Sequence, residues 1–338
     1  MVSKNLKWSG CLIIIGVLIT ATIILSLEVI QSANSCSQCS TIDNPLLTPA
    51  KTPPTPTVND YIHFDKFDYG HTNQTIAYFV GFKEKKADIN YFLTFFYHHD
   101  SSDYPNWQLS LIKIESNERL SFSGHVTLTH DNIKVLLVDN ELLKILIYPS
   151  NNTSILQLSG SGISLYFKFT GHPFWYDNGK IGGINKKERM AGFEIIGKLI
   201  GEINGRIIDG YGTLEKISFN IRIRNSPYFE DWCLFSSDEI GGLIYRQGEY
   251  RDGGLWINGE YYKPIDFLTT QLNYSYSKHY IYRMDKLISV NINGSVRYLS
   301  IKMYSLIKND GLILSQIQIE FQGKTYQGYS IIDNALVI

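Results

Sequence analysis

Leu199-Ile200-Gly201-Glu202-Ile203-Asn204-Gly205-Arg206-Ile207-Ile208 sets an Asn-Gly pair between two runs rich in β-branched residues. Both central residues of a type I′ turn need positive φ, which Asn and Gly tolerate, so the segment reads as a strand folded back on a strand. Asn-Gly recurs at Asn178, Asn258 and Asn293, and three of the four pairs follow Ile directly. Asp-Gly at Asp209, Asp252 and Asp310 reads as further turns.

Between these punctuation points lie short β-branched and aromatic runs. They include Tyr91 to Tyr97, Leu109 to Glu115, Ile133 to Val138, Leu142 to Tyr148, Ile163 to Thr170, Val296 to Tyr304 and Leu312 to Phe321. Several alternate apolar with polar, the mark of a strand with one buried face. No stretch of helical period longer than about two turns follows Tyr61. About twenty such strands over residues 60–338 exceed what one open twisted sheet holds, so they must curl into barrels or sandwiches. Two units of about 140–160 residues fit that length. The expected boundary lies near Asn220 to Pro227, where Arg222, Arg224, Asn225 and Pro227 break the strand pattern.

The 338 residues carry 31 Lys+Arg against 32 Asp+Glu, a net charge of −1 that leaves no basic footprint for nucleic acid. Only 19% are charged, below the average of about 25%, while Tyr (23) and Phe (17) are abundant. Four Cys are too few for a disulfide scaffold.

Trp8 to Leu27 contains no charged side chain. Its twenty residues, at about 1.5 Å each, make a helix of about 30 Å, enough to cross a hydrocarbon core. Lys4 and Lys7 precede it and Glu28 follows, which keeps the N-terminus cytoplasmic and the bulk of the chain extracytoplasmic. A cleaved signal peptide is the alternative, but its apolar core runs about 7–15 residues and ends in a small-x-small site that is not evident here. Residues 1–30 therefore read as a cytoplasmic tip and single membrane anchor. Residues 31–59, rich in Ser, Thr and Pro, read as an extended linker with the composition of an O-glycosylated stalk. Residues 60–222 and 223–338 read as two β domains. Cys36-Ser37-Gln38-Cys39, in the linker, lacks the second pair that zinc needs and reads as a local or intermolecular disulfide.

One region bears a family likeness. Phe193-Glu194-Ile195-Ile196-Gly197 runs through Asn204-Gly205 to Tyr211-Gly212-Thr213-Leu214-Glu215. Asp231-Trp232-Cys233-Leu234-Phe235, Gly242-Leu243-Ile244-Tyr245-Arg246 and, upstream, Gly171-His172-Pro173-Phe174-Trp175 belong with it. From about Gly171 to Gly259 the chain resembles the lipocalin-like family of the carotenoid hydratase of hydroxyneurosporene synthesis, AttH-type proteins and some fungal Diels–Alderases. The resemblance implies an all-β chain of two lipocalin-like antiparallel barrels, with an apolar ligand in one barrel or between them. Enzyme-like members follow the acidic residue with His or Glu and then Trp-Gly. Here Glu215 is followed by Lys216, Ile217, Ser218 and Phe219, so that acid–base arrangement is not visibly preserved.

Glu215 and Asp231 are the candidate acids, because a carboxyl desolvated in an apolar barrel is pushed toward neutrality and can protonate an alkene. The plainer reading makes each a strand-end carboxylate at a barrel rim. Trp175, Tyr176, Trp232, Tyr245 and Trp256 are candidates to line a pocket for a lipid or isoprenoid, against the alternative of ordinary core packing. His98 and His99, adjacent on a strand, would point to opposite faces, so His98-His99-Asp100 reads as a solvated loop rather than a metal site. Cys233 reads as a buried free thiol. No motif calls for a cofactor or metal. Asn73, Asn151, Asn152, Asn273 and Asn293 begin Asn-x-Ser/Thr sequons, as on an exported, glycosylated surface.

Two functions follow. The first is a membrane-anchored, extracytoplasmic protein that binds a hydrophobic small molecule and acts on it by acid catalysis, as a hydratase or isomerase would. The second is a non-enzymatic surface protein that displays its β domains to neighbouring proteins or glycans on a stalk.

Overall fold

The computed structural model describes residues 50–62, 73–98, 106–176, 190–219, 231–247, 250–269, 274–277, 280–283, 285–309, 312–332 and 336–337. The expected anchor at Trp8 to Leu27, most of the linker, Cys36, Cys39, His99, Asp100, Asn273 and the Asn178-Gly179 turn lie outside the described residues. Among those described, no helix is long and apolar enough to cross a membrane.

The chain is nearly all β, as expected. A short helix, α1 (Val58–Ile62), comes first. The backbone N–H of Thr57 donates to Asp60 Oδ2, and that of Asp60 donates to Thr57 Oγ1, a reciprocal cap that fixes the helix start. Eleven antiparallel strands follow. They are β1 (Asn73–Glu84), β2 (Ile89–His98), β3 (Trp107–Lys113), β4 (Glu118–Gly124), β5 (Thr129–His130), β6 (Val135–Asp139), β7 (Leu143–Tyr148), β8 (Thr153–Gly160), β9 (Ile163–Trp175), β10 (Met190–Ile203) and β11 (Arg206–Phe219). Their spatial order is β4-β3-β2-β1-β11-β10-β9-β8-β7-β6-β5.

That order forces curvature. The edges β4 and β5 are ten strand spacings apart, about 48 Å on a flat sheet. Only residues 125–128 join them, and five residue steps reach about 18 Å at most. The sheet must roll up. Tyr78 of β1 accordingly meets Phe167 of β9 at 6.3 Å between ring centroids, although two strands separate β1 from β9.

A second sheet repeats the plan. Its strands are β12 (Asp231–Ser237), β13 (Ile240–Gln247), β14 (Tyr250–Ile257), β15 (Glu260–Tyr262), β16 (Pro264–Thr269), β19 (Lys286–Ile292), β20 (Ser295–Asn309), β21 (Leu312–Phe321) and β22 (Lys324–Ile332). Its spatial order is β15-β14-β13-β12-β22-β21-β20-β19-β16, and the edge strands β15 and β16 are joined through Lys263 alone. It is a nearly closed barrel. Strands β17 (Tyr274–Ser277), β18 (Tyr280–Arg283) and β23 (Leu336–Val337) form a small third sheet.

The Asn-Gly pairs at Asn204, Asn258 and Asn293 are turns with φ near +50° at Asn and +73° to +80° at Gly. Of the Asp-Gly pairs, Asp310-Gly311 lies outside the described residues and the other two are not turns. Asp209-Gly210 lies inside β11 and Asp252-Gly253 inside β14. Gly210 is needed there for close approach, since a Cβ would stand 2.1 Å from the Gly81 carbonyl oxygen.

Alternation sorts the core into three. Ile76, Tyr78, Val80 and Phe82 of β1 join Phe193, Ile195 and Leu199 of β10 inside the first barrel. Ile288, Val290, Leu299, Ile301, Ile317 and Ile319 fill the second. The opposite faces of β1 and β10, with Ala77, Phe79 and Ile196, pack on Trp232, Leu234, Leu243 and Tyr245 of the second sheet. Residues 47–338 are thereby one compact unit. The sheets are also hydrogen-bonded to each other, with Ser236 Oγ donating to the Gly197 carbonyl (2.9 Å) and Tyr329 Oη to Asn90 Oδ1 (3.0 Å).

Candidate functional site

Between the barrels lies a pair of buried carboxyls. The Asn204-Gly205 hairpin pairs Ile203 with Arg206 and continues without a register shift, so Glu194 of β10 stands opposite Glu215 of β11. Both side chains project from the face that meets the second sheet, while Lys216, next in sequence, points into the first barrel and donates to Gln74 Oε1 (2.8 Å). Glu194 is fully buried and Glu215 is 8% exposed. Like charges directly opposite on a ladder repel, so two ionised carboxylates here would be costly.

Hydroxyl donors surround Glu194. Tyr176 Oη donates to Glu194 Oε1 (2.8 Å) and in turn accepts from Trp232 Nε1 (3.1 Å). Thr213 Oγ1 lies 2.7 Å from Glu194 Oε2 and 3.1 Å from the Ile195 carbonyl oxygen. Thr213 thus donates to the carboxyl, as Tyr176 does, and both hydrogen bonds favour its charged form. Glu215 is a further hydrogen-bond partner, which likewise favours the charged form of Glu194. Burial raises the Glu194 carboxyl from its ordinary value of 4.5 to about 6, against the opposing pull of its hydrogen bonds to Glu215, Thr213 and Tyr176. Burial, reinforced by both glutamates, holds the Tyr176 phenol well above its ordinary value, so it stays a donor.

A cleft of about 270 Å³ opens between the sheets, and neither carboxyl lines it. Its lining includes Ile196, two residues along the same face from Glu194, with His172, Gly241 and Trp256. The His172 ring stacks on Trp256 at 4.4 Å, and Trp256 Nε1 donates to the Pro173 carbonyl (3.1 Å).

The structure therefore brings Glu215, Tyr176 and Trp232 together, with Tyr245 against Tyr176 at 5.6 Å and Trp256 at the neighbouring cleft. Trp175 is elsewhere. It packs on Phe193 at 4.9 Å at the first barrel, and its Nε1 donates to the Pro54 carbonyl (2.7 Å), tying down the segment before α1. Asp231 begins β12 opposite Arg246, and its side chain lies outside the described residues. Glu194 is the residue that sequence reasoning passed over. A signal was present, because a two-residue hairpin at Asn204-Gly205 places residue 194 opposite residue 215 by symmetry.

His98 closes β2 with Nδ1 3.1 Å from Thr75 Oγ1, and no metal-binding group of His, Cys, Asp and Glu occurs among the described residues. Cys233 is a buried free thiol. Of the sequon residues, Asn293 is exposed at its turn and Asn151 is exposed in a 3-10 turn. Asn152 is half-buried and Asn73 begins β1.

Fold and site together define a two-barrel, lipocalin-like protein with a buried carboxyl pair where its barrels meet. The chain is similar to the crystal structure of an AttH protein (NE1406) from Nitrosomonas europaea, with a TM-score of 0.51 and 12% identity. That likeness covers 87% of this chain and 100% of the other, and it shows a shared fold. Kievitone hydratase from Nectria haematococca gives a TM-score of 0.46 at 11% identity, over 86% of this chain and 97% of that one. No protein-family model matches the chain, and no curated protein does.

Proposed function

We propose that this chain binds a hydrophobic small molecule, a lipid or isoprenoid, in the cleft between its barrels and that Glu194 and Glu215 exchange a proton with it. The carboxyl pair is the observation that carries the reading. A buried acid near neutrality, hydrogen-bonded to a phenol that stays protonated, is poised to give a proton to an alkene carbon. The carbocation so formed takes up water, and the proton that water releases returns to the carboxylate. Aromatic and aliphatic side chains around the cleft supply apolar burial for the rest of the ligand. The uncharged run from Trp8 to Leu27 supports anchorage to a membrane with the barrels on its extracytoplasmic side.

Native mass spectrometry of the full chain, purified in detergent from cells that express it, tests binding. An apolar molecule retained by the native protein is expected, and a ligand-free chain overturns the proposal. Incubating the loaded protein in D₂O tests chemistry. Deuterium should enter the ligand with the native chain and not with Glu194→Gln.

A further inference from the structure

A second groove, of about 390 Å³, lies on the outer face of the first barrel. That volume is within the range of small-molecule sites. It is remote from the carboxyl pair, because Glu202 is eight residues beyond Glu194 on β10, about 26 Å along the strand. Four side chains form one cross-strand row through it, since Lys144 pairs with Gln157, Gln157 with Tyr166, and Tyr166 with Glu202. Tyr166 is 37% exposed and its strand neighbours Leu165 and Phe167 fill the barrel, so its ring serves no core.

We propose that this groove is a carbohydrate site that takes a neutral pyranose. A pyranose ring has an apolar face of axial C–H bonds and a rim of hydroxyls that both donate and accept. Tyr166 offers a solvated aromatic face to the first. Gln157 and Glu202, on either side of that ring, offer an amide and a carboxylate to the second, and neither side chain is hydrogen-bonded to another described residue. The charges select against acids. Lys144 is held by Asp139 (3.4 Å), while Glu141 and Glu202 add two carboxylates to the lining, so a uronate or sialic acid is repelled. The inference is independent of the function proposed for the inter-barrel site.

Titration of the full chain with methyl glucoside, galactoside and mannoside, followed by saturation-transfer NMR, tests it. At least one should bind saturably, in the millimolar range expected of a single sugar on an open groove. Methyl glucuronide should bind at least tenfold more weakly. Tyr166→Ala should weaken binding tenfold or more, Tyr166→Phe should hold it within about threefold, and Tyr298→Ala, at an exposed tyrosine on β20, should leave it unchanged. If Tyr166→Ala does not fold, the surface pair Gln157→Ala/Glu202→Ala replaces it, with the same loss expected. No saturable binding by any neutral glycoside, glucuronide binding of equal strength, or binding that survives Tyr166→Ala or the pair, overturns the proposal.

Discussion

Glu194 and Glu215 face each other directly across the β10–β11 ladder, on the side of that ladder covered by a second barrel. The fold accommodates the buried Glu194 through hydrogen bonds from Tyr176 and Thr213 and to Glu215, which oppose the rise that burial imposes on its pKa.

Stability should fall as pH rises through this site. The Glu194 pKa is raised on folding, so its contribution is complete below about 4.5 and is lost as pH climbs through about 6. Urea denaturation from pH 4 to 8 should show that decline for the native chain. Glu194→Gln should flatten it and be more stable at pH 8 by on the order of 2 kcal/mol.

Tyr176→Phe should act on both neighbours. It strips Glu194 of a donor that lowers its pKa, so the carboxyl should titrate higher still, which carboxyl-selective ¹³C NMR reads directly. It also leaves the buried Trp232 Nε1 without its phenolic acceptor. The cost should be about 1–3 kcal/mol in denaturant.

Gly81→Ala should strain the join between the barrels. A Cβ there would stand 2.3 Å from the ring of Tyr329, in the other sheet. Overpacking of this kind costs about 1–3 kcal/mol. Measured in a Tyr329→Ala background, the same substitution should cost much less, and that non-additivity marks the contact as the cause.

Cys233 should resist alkylation in the native protein. It is fully buried on β12, between the second barrel's core residues. Iodoacetamide labelling with peptide mapping should leave Cys233 unmodified until denaturant is added.

Much of the fold is legible because it is local. Ile257-Asn258-Gly259 and Ile292-Asn293-Gly294 name their own hairpins, since few residues accept the positive φ that both turns show. The same cue misled at Asp209-Gly210 and Asp252-Gly253, where the glycine serves a close approach between strands rather than a turn. Among the candidate aromatics, Trp175 and Tyr176 are neighbours that belong to different cores, one on Phe193 and one on Trp232. Their types alone do not separate them.

The sequence by itself determined the antiparallel hairpins at Asn204, Asn258 and Asn293, because turn conformation and a period of two act over a few residues. The structure, in which β11 runs unbroken through Asp209-Gly210, set residue 194 opposite residue 215. Only the tertiary structure decided that Tyr176 and Trp232, 56 positions apart, close over that pair. That meeting depends on how far each sheet curls and how closely glycine lets the two barrels approach. Both are sums over many distant contacts, and no local pattern carries them.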